Sequence, residues 1–211
     1  MKSGKSENKI AVCTCISLLS PKIKNLSMKK IFFVLIGIAA LTSFSAFKNP
    51  PATYTVSTDA SKVEWTGAKK AGYHTGAFSL KSGSVTVDNG KLTGGQFVID
   101  LASLKSTEPT GGERLEGHLK SPEFFDVAKF GEATFTITSV NYTSETNVDI
   151  SGNLSIKGAT VALKFPAVIR NADDKKFFGE AFFSLNSRLL PITDKYSMPD
   201  VQLAIHLFGT K

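Results

Sequence analysis

The amino-acid sequence predicts an all-β protein, an eight-stranded antiparallel barrel or sandwich with one short helix. The first observation is a series of short segments in which apolar and polar residues alternate, as in strands with one buried and one wet face. The second is that turn residues separate these segments, with no long helical stretch between them, which argues against a parallel α/β sheet. About eight segments qualify: 63–66, 84–87, 92–104, 133–138, 148–156, 161–169, 177–185 and 201–207.

Turn chemistry supports this assignment. Asn89-Gly90 stands between two apolar runs, and this pair is the strongest short hairpin signal because both turn residues need a positive φ. Lys157-Gly158 and residues 171–174 predict further turns. Gly94-Gly95 falls inside a strand pattern and predicts a bulge or bend.

One segment breaks the strand pattern. Thr110 and Glu113 have the spacing of a capping box, which predicts a short helix that runs through about Leu119. Ser121-Pro122-Glu123 predicts one further turn, with proline at its first helical position. Phe124-Phe125 would then cover apolar surface.

The N-terminal region has the layout of a secretory signal peptide. Two lysines follow Met28, an apolar run covers residues 31–41, and Ser43 and Ser45 supply small residues for cleavage before Ala46. The apolar run is about half as long as a membrane span requires. We therefore expect no membrane span after processing, and a periplasmic or secreted bacterial protein; an N-terminal membrane anchor is the alternative.

This interpretation divides the chain into four parts. Both cysteines, Cys13 and Cys15, lie before Met28, so the mature chain would have no thiol for disulfides or metal binding. The parts are 1–27, an upstream extension from a misassigned start; 28–45, the signal peptide; 46–53, a linker; and 54–211, the barrel domain.

Charge argues against nucleic acid as a partner. The formal net charge is +7, but seven of the 25 basic residues and one of the 18 acidic residues lie in residues 1–45. Residues 46–211 are therefore close to neutral, at +1. A nucleic-acid-binding surface would be strongly basic.

The sequence shows no catalytic motif, so the protein is not expected to be an enzyme. His74, His118 and His206 lie far apart and lack metal-ligand spacing, and no metal site or cofactor is predicted. No nucleophile elbow or phosphate-binding loop is present. Asp173-Asp174 fits a turn better than a calcium site. An enzyme that uses His74 or His118 as acid or base remains a weaker alternative.

Residues 46–211 contain thirteen phenylalanines and one tryptophan, Trp65. They could fill an ordinary core, or they could line a cavity, because an eight-stranded barrel has room to hold one small ligand. Composition does not decide between these two interpretations.

Five stretches together resemble the YceI-like family. They are G-Y-H-T-G-A-F at 72–78, G-G-Q-F-V-I-D-L-A-S-L at 94–104, R-L-E-G-H-L-K-S-P-E-F-F-D-V at 114–127, A-T-F at 133–135, and V-D-I-S-G-N-L-S-I-K-G at 148–158. The resemblance covers about residues 53–208. It implies a lipocalin-like barrel, exported to the periplasm, with an apolar tunnel that holds a polyisoprenoid or similar amphiphile. The chain departs from the family pattern at Arg188-Leu189-Leu190-Pro191-Ile192 and at Gly117, where an acid often precedes the histidine.

We therefore expect a carrier or buffer for an isoprenoid-type lipid, with no other cofactor. A protein-interaction or stress-related barrel with a filled core is the main alternative. Ligand chain length, head group, pathway and oligomeric state, with a homodimer as one option, stay open. The candidate ligand-binding residues are Phe78, Phe97, Phe135 and Phe183 along the tail, and Arg114 and His118 as a cationic rim at i, i+4 spacing on the helix.

Overall fold

The computed structural model describes residues 50–69, 72–192 and 200–211. The predicted signal peptide and upstream extension lie outside the described residues. The elements, in chain order, are β1 (Ala52–Val56), β2 (Lys62–Lys69), β3 (Gly72–Asp88), β4 (Lys91–Ser106), α1 (Gly112–Lys120), β5 (Glu132–Tyr142), β6 (Asn147–Ile156), β7 (Ala159–Ala172), β8 (Lys176–Asn186), a 3-10 turn (Ser187–Leu189) and β9 (Asp200–Thr210).

The strands form a closed antiparallel barrel, which confirms the predicted fold class. Each strand from β4 to β9 pairs with the next along the chain, β9 pairs with β2, and β2 pairs with β3. The ring of eight closes because β3 also pairs with β4. The one α-helix of the described residues, α1, follows β4 along the chain and lies beside it.

The first strand shares a position in the ring with the second. β1 pairs with the last residues of β3 and β9, whereas β2 pairs with the earlier residues of β9 and the first half of β3. The two strands therefore follow one another between the same two neighbours. At the break, the buried hydroxyl of Ser61 accepts a hydrogen bond from the Phe208 backbone N–H at 3.0 Å.

Alternation produces the core, as the sequence predicts. Val148, Ile150, Leu154 and Ile156 of β6 are all at least nine-tenths buried, while the polar residues between them, Asp149, Ser151, Asn153 and Ser155, are exposed or half-exposed. On β7, Phe165, Ala167 and Ile169 are buried in the same way. The inward-facing apolar residues of the strands meet inside the ring, whereas Phe182 of β8 and Phe208 of β9 are exposed.

The predicted turns are confirmed by backbone geometry. Asn89 and Gly90 have φ of 50° and 74°, and Lys157 and Gly158 have φ of 48° and 76°, as two-residue hairpins require. The bulge that was predicted at Gly94-Gly95 lies one residue earlier, just before these two glycines. Thr86 pairs with Gly94 and Val87 with Leu92, which leaves Thr93 as the extra residue.

The helix forms where predicted, but the capping box is wrong. The N-cap residue is Gly111, at φ 78° and ψ 0°, and no side chain caps the helix there. Because Gly111 adopts the left-handed conformation, the chain enters the helix one residue later than a cap at Thr110 requires. After α1, the Phe124 N–H donates to the Ser121 carbonyl at 3.0 Å, in turns that do not extend the helix.

Candidate functional site

The barrel encloses a cavity of about 460 Å³. Every strand from β2 to β9, together with α1 and the segment after β8, contributes to its lining. Among the described residues, the lining is aliphatic, aromatic or glycine except for four residues: His74, His118, Glu180 and Ser187. The cavity is therefore an apolar chamber with few polar groups, which is the usual composition of a small-molecule site.

One end of the barrel is packed shut. Tyr54, Val85, Val148 and Phe177 are at most 2% exposed and fill the end that carries the hairpins after β3, β5 and β7. The Tyr54 hydroxyl donates to the Asp173 carbonyl. Burial, with smaller contributions from the charges of Asp174 and Asp173, raises the pKa of Tyr54.

A second tyrosine hydroxyl serves the same end. The Leu92 backbone N–H donates to the Tyr142 hydroxyl at 2.6 Å, beside the bulge that interrupts the ladder between β3 and β4. Burial raises the pKa of Tyr142. The Tyr142 hydroxyl therefore satisfies the Leu92 N–H, which lies beside this bulge.

Aromatic rings form much of the chamber wall. Phe165 stacks on Phe183 with ring centres 4.2 Å apart, and the Phe135 ring lies 5.5 Å from that of Phe165. A Cβ on Gly152 would lie 2.3 Å from the Phe135 ring, so this glycine makes room for it. The wall depends on close glycine–aromatic contacts.

The structure places the four predicted phenylalanines together. Phe78, Phe97, Phe135 and Phe183 all line the chamber, although they come from four different strands. Their contact with a ligand stays a prediction. Phe165, next to Phe135 and Phe183, was not singled out from the sequence, although it shares the same inward alternation.

The other end of the chamber, called the helix end here, is covered by α1 and the segment 121–131. Leu115 and Leu119 of α1 face the chamber and are half-buried. Phe125 is buried, with its ring 4.7 Å from that of Phe124 and 5.8 Å from that of Phe78. These rings confirm that Phe124-Phe125 covers apolar surface.

Of the two residues of the predicted cationic rim, the structure places only His118 in the chamber lining. His118 lines the chamber, with its ring 6.1 Å from that of Phe124. Arg114 is exposed and is not among the lining residues. A role for either residue in head-group binding stays a prediction.

Helix α1 is anchored to β4 by a carboxylate. Glu116 accepts a hydrogen bond from the Ser106 backbone N–H at 2.9 Å and lies 3.2 Å from the Lys105 ammonium. The Ser106 N–H is the main cause of the lowered pKa of Glu116. This contact holds the helix over the chamber.

A histidine–carboxylate pair lies at the helix end. His74 Nδ1 and Glu108 Oε1 are 2.5 Å apart, and the two side chains are 22% and 19% exposed. His74 lines the chamber, and Glu108 follows β4 along the chain. The sequence singled out His74 but not Glu108, because no spacing rule links residues in a strand and a later loop.

Within residues 50–69, 72–192 and 200–211, no group of three His, Cys, Asp or Glu side chains could hold a metal ion. In the same part of the chain, no helix is long and apolar enough to cross a membrane.

Comparison with known proteins identifies the family. The family model of the YceI-like domain matches residues 54–202. This chain belongs to the YceI-like family. The match confirms the resemblance found in the sequence.

Curated relatives include UPF0312 proteins and YceI proteins. A UPF0312 protein of Pseudomonas putida strain W619 is 34% identical over 107 residues, which cover 50% of this chain and 54% of that protein. A UPF0312 protein of Vibrio parahaemolyticus is 30% identical over 145 residues, or 64% of this chain and 74% of that protein. The chain thus spans about half the length of the Pseudomonas relative.

Two solved structures show the same fold at low identity. BcnA of Burkholderia cenocepacia has a TM-score of 0.61 at 20% identity and covers 72% of this chain and 98% of its own. A domain from Saccharophagus degradans, described as a polyisoprenoid-binding domain implicated in plant cell wall breakdown, has a TM-score of 0.57 at 16% identity, with coverages of 74% and 97%.

The two stretches that carry the YceI-like resemblance best lie against each other. Lys157, in the I-K-G stretch, donates to the carbonyls of Pro122 at 2.9 Å and Phe124 at 2.6 Å, in the S-P-E-F-F-D-V stretch. The lysine thereby ties a hairpin tip to the segment that covers the chamber.

The departure from the YceI-like pattern also lies at the helix end. Leu190 and Ile192 line the chamber, whereas Leu189 is 54% exposed. The Asn186 side chain accepts a hydrogen bond from the Arg188 N–H at 3.0 Å and starts this segment. Two of the departing residues, Leu190 and Ile192, therefore contribute to the chamber lining at this end.

Proposed function

We propose that this YceI-like barrel binds one amphiphilic lipid, a polyisoprenoid or a similar molecule, with its apolar chain in the chamber. The observation that carries the proposal is the cavity of about 460 Å³ and its apolar lining. This volume lies within the roughly 300–1,000 Å³ of small-molecule sites. The main alternative, a barrel with a filled core, would not contain a cavity of this size.

The chemistry of the lining favours a hydrocarbon chain over water. Water enters a protein cavity only where two to four polar partners hold it, and apolar cavities stay dry or take up apolar ligands. A chain without hydrogen-bonding groups gains affinity from buried apolar area, at about 25 cal/mol per Å². The aromatic and aliphatic wall supplies that area.

The choice of an isoprenoid-type chain is supported by the fold relationship to the polyisoprenoid-binding domain of Saccharophagus degradans. We also propose that the protein acts outside the cytoplasm as a carrier or buffer for its lipid. The signal-like layout of residues 28–45 motivates this part of the proposal. N-terminal sequencing of the exported protein should give a terminus near Ala46, whereas an intact Met1 on cytoplasmic protein would contradict it.

The binding function is tested by organic extraction of the purified protein, followed by mass spectrometry. We expect a prenyl or similar lipid at close to one molecule per chain. Ala167→Phe, which fills the chamber from its wall, should remove that lipid. Ala162→Phe is the matched control, because Ala162 lies on the same strand with an exposed side chain.

Circular dichroism should show that both variants keep the strand-dominated fold. Equal lipid content in a folded Ala167→Phe variant, or no extractable lipid in the wild type when lipid probes also fail to bind, would contradict the proposed function.

One observation favours a second candidate, an acid–base enzyme. The imidazole of His74 is held by Glu108 beside the chamber, as a general base would be. His74→Gln distinguishes the two, because an enzyme would lose turnover of the lipid while a carrier would return it chemically unchanged.

A further inference from the structure

The pair formed by His74 and Glu108 is built on fixed backbone. The Thr107 N–H donates to the Thr75 carbonyl at 3.0 Å, and the Glu108 N–H donates to the Ser106 hydroxyl at 3.2 Å. That hydroxyl in turn donates to the Thr75 carbonyl at 3.2 Å. The loop that carries the carboxylate is therefore held against β3, next to the strand position of the imidazole.

Lys and Arg are absent from the chamber lining, as far as residues 50–69, 72–192 and 200–211 show. The ionisable lining residues in that part of the chain are His74, His118 and Glu180. The Glu180 carboxylate is engaged by Arg170 Nε at 2.8 Å and His206 Nδ1 at 3.3 Å, on neighbouring strands. The Arg170 hydrogen bond is the main cause of its lowered pKa.

This distribution of charge discriminates between lipid head groups. Phosphate esters carry about −1.5 to −2 charge near pH 7 and are bound by arginine or lysine in most proteins. Here the phosphate would lie near the Glu108 carboxylate, and like charges at short range repel. An uncharged head group needs only one or two hydrogen bonds: a hydroxyl can donate to the carboxylate or to the imidazole, and a carbonyl oxygen can accept from an imidazole N–H.

We propose that the chamber selects amphiphiles with an uncharged, oxygen-bearing head group, and that the His74–Glu108 pair binds that head group. This inference rests on the proposed lipid-binding function. Under this proposal the His74–Glu108 pair determines which head group is bound. The exposed Arg114 has no role in the choice of ligand.

The chain contains its own reporter for the experiment. Trp65 is the only tryptophan of the sequence, it lines the chamber, and it is 7% exposed. Its fluorescence should respond to any ligand that enters. Delipidated full-length protein is titrated with farnesol, with farnesyl phosphate and with farnesene, which share a similar chain and differ in head group.

We expect farnesol to bind most tightly, and farnesyl phosphate to bind about tenfold more weakly or worse. Glu108→Gln should narrow the gap between the two, because it removes the repelling charge and keeps the shape. His74→Phe should lower the affinity for farnesol to that for farnesene. Glu113→Gln, which changes an exposed carboxylate on α1, should leave both comparisons unchanged.

The outcomes separate the two proposals. If none of the three probes binds and the wild type also yields no extractable lipid, the lipid-binding function itself fails. If farnesene binds but farnesyl phosphate binds as tightly as farnesol, or if farnesol is no tighter than farnesene, the function stands and the head-group inference is overturned.

Discussion

At the scale of single residues, a few polar side chains complete hydrogen bonding where the barrel is irregular. Ser61 bonds the backbone of Phe208 at the break between β1 and β2, and Tyr142 bonds the Leu92 N–H beside a bulge. Each partner is distant in sequence. A buried N–H without a partner costs free energy, so these side chains stabilise the closed ring.

The first prediction concerns Ser61. Ser61→Ala should lower the free energy of unfolding by about 1–3 kcal/mol, because the Phe208 N–H loses the acceptor that the buried Ser61 side chain provides. Denaturant unfolding measures the change. Ser184→Ala, at an exposed position on β8, is the control and should alter stability by about 0.5 kcal/mol or less. Equal effects of the two changes would show that the Ser61 hydroxyl is not needed.

The second prediction concerns acid stability. The Asn171 side chain and the N–H groups of Lys175 and Lys176 hydrogen-bond the Asp173 carboxylate and lower its pKa from 3.8 to about 2. Because folding favours the ionised form, its contribution to stability is present above about pH 4 and is lost as the pH falls towards 2. Asp173→Asn should therefore lose less stability than the wild type over that interval.

Unfolding midpoints measured at several pH values test this expectation. Asp174→Asn, in the same turn, serves as the control and should follow the wild type. A parallel pH dependence for Asp173→Asn and the wild type would contradict the assignment.

Part of the candidate site could be predicted at this scale. The inward positions of Phe78, Phe97, Phe135 and Phe183 follow from strand alternation, which is a local property of the sequence. The pair of His74 with Glu108 could not be predicted, because it joins a strand to a loop through barrel closure. The same holds for the position of Arg114 outside the lining, since helical spacing gives neighbours but not the direction in which they face.

At the scale of elements, turn chemistry was more informative than helix capping. Asn89-Gly90 and Lys157-Gly158 adopt the positive φ values that their residue types favour. The capping box at Thr110 failed because two consecutive glycines offered the chain a different entry into α1. Lys157, in the second of these hairpins, also contacts the covering segment 121–131, because its ammonium donates hydrogen bonds to carbonyls of that segment.

The third prediction concerns that lysine. Lys157→Asn should keep the hairpin, because asparagine tolerates positive φ, but should release the covering segment. Hydrogen bonds to a charged group are worth about 1.5 kcal/mol or more, which corresponds to roughly tenfold faster local opening.

Amide hydrogen exchange at Phe125, Asp126 and Val127 measures this opening, because their N–H groups donate to backbone carbonyls within the covering segment and α1. The hairpin at Asn89-Gly90 supplies an internal control and should exchange at an unchanged rate. Unaltered exchange at Phe125 to Val127 would show that Lys157 does not hold the segment.

At the scale of the whole molecule, the sequence predicted the eight strands of the ring and their order, but it predicted neither β1 nor the space inside the ring. A filled and a hollow barrel have the same alternation, and thirteen phenylalanines suit both. The cavity depends on how rings from different strands meet, such as Phe165 on Phe183, and on glycines such as Gly152 that admit a ring. These contacts are set by register, which composition does not reveal.

The fourth prediction concerns thermal stability. A ligand that binds only the folded state at 100 times its Kd stabilises it by about 2.7 kcal/mol, which raises the Tm by about 5–10 °C for a chain of this length. Farnesol added to delipidated protein should produce such a shift. Ala167→Phe should abolish it and Ala162→Phe should retain it; a shift that survives chamber filling would place the ligand elsewhere.

The shared position of β1 and β2 in the ring has a consequence for folding of the chain during its synthesis. Ser61 bonds Phe208, a residue 147 positions further along the chain, so the ring cannot close until the final strand has been synthesised. Until then β2 and β8 both present unpaired edges. Pairings of such long range form slowly, because the entropy of loop closure is lost before the contacts are gained. A nascent chain that stalls before Asp200 is thus an open sheet with two unpaired edge strands. We expect it to aggregate rather than to bind a lipid.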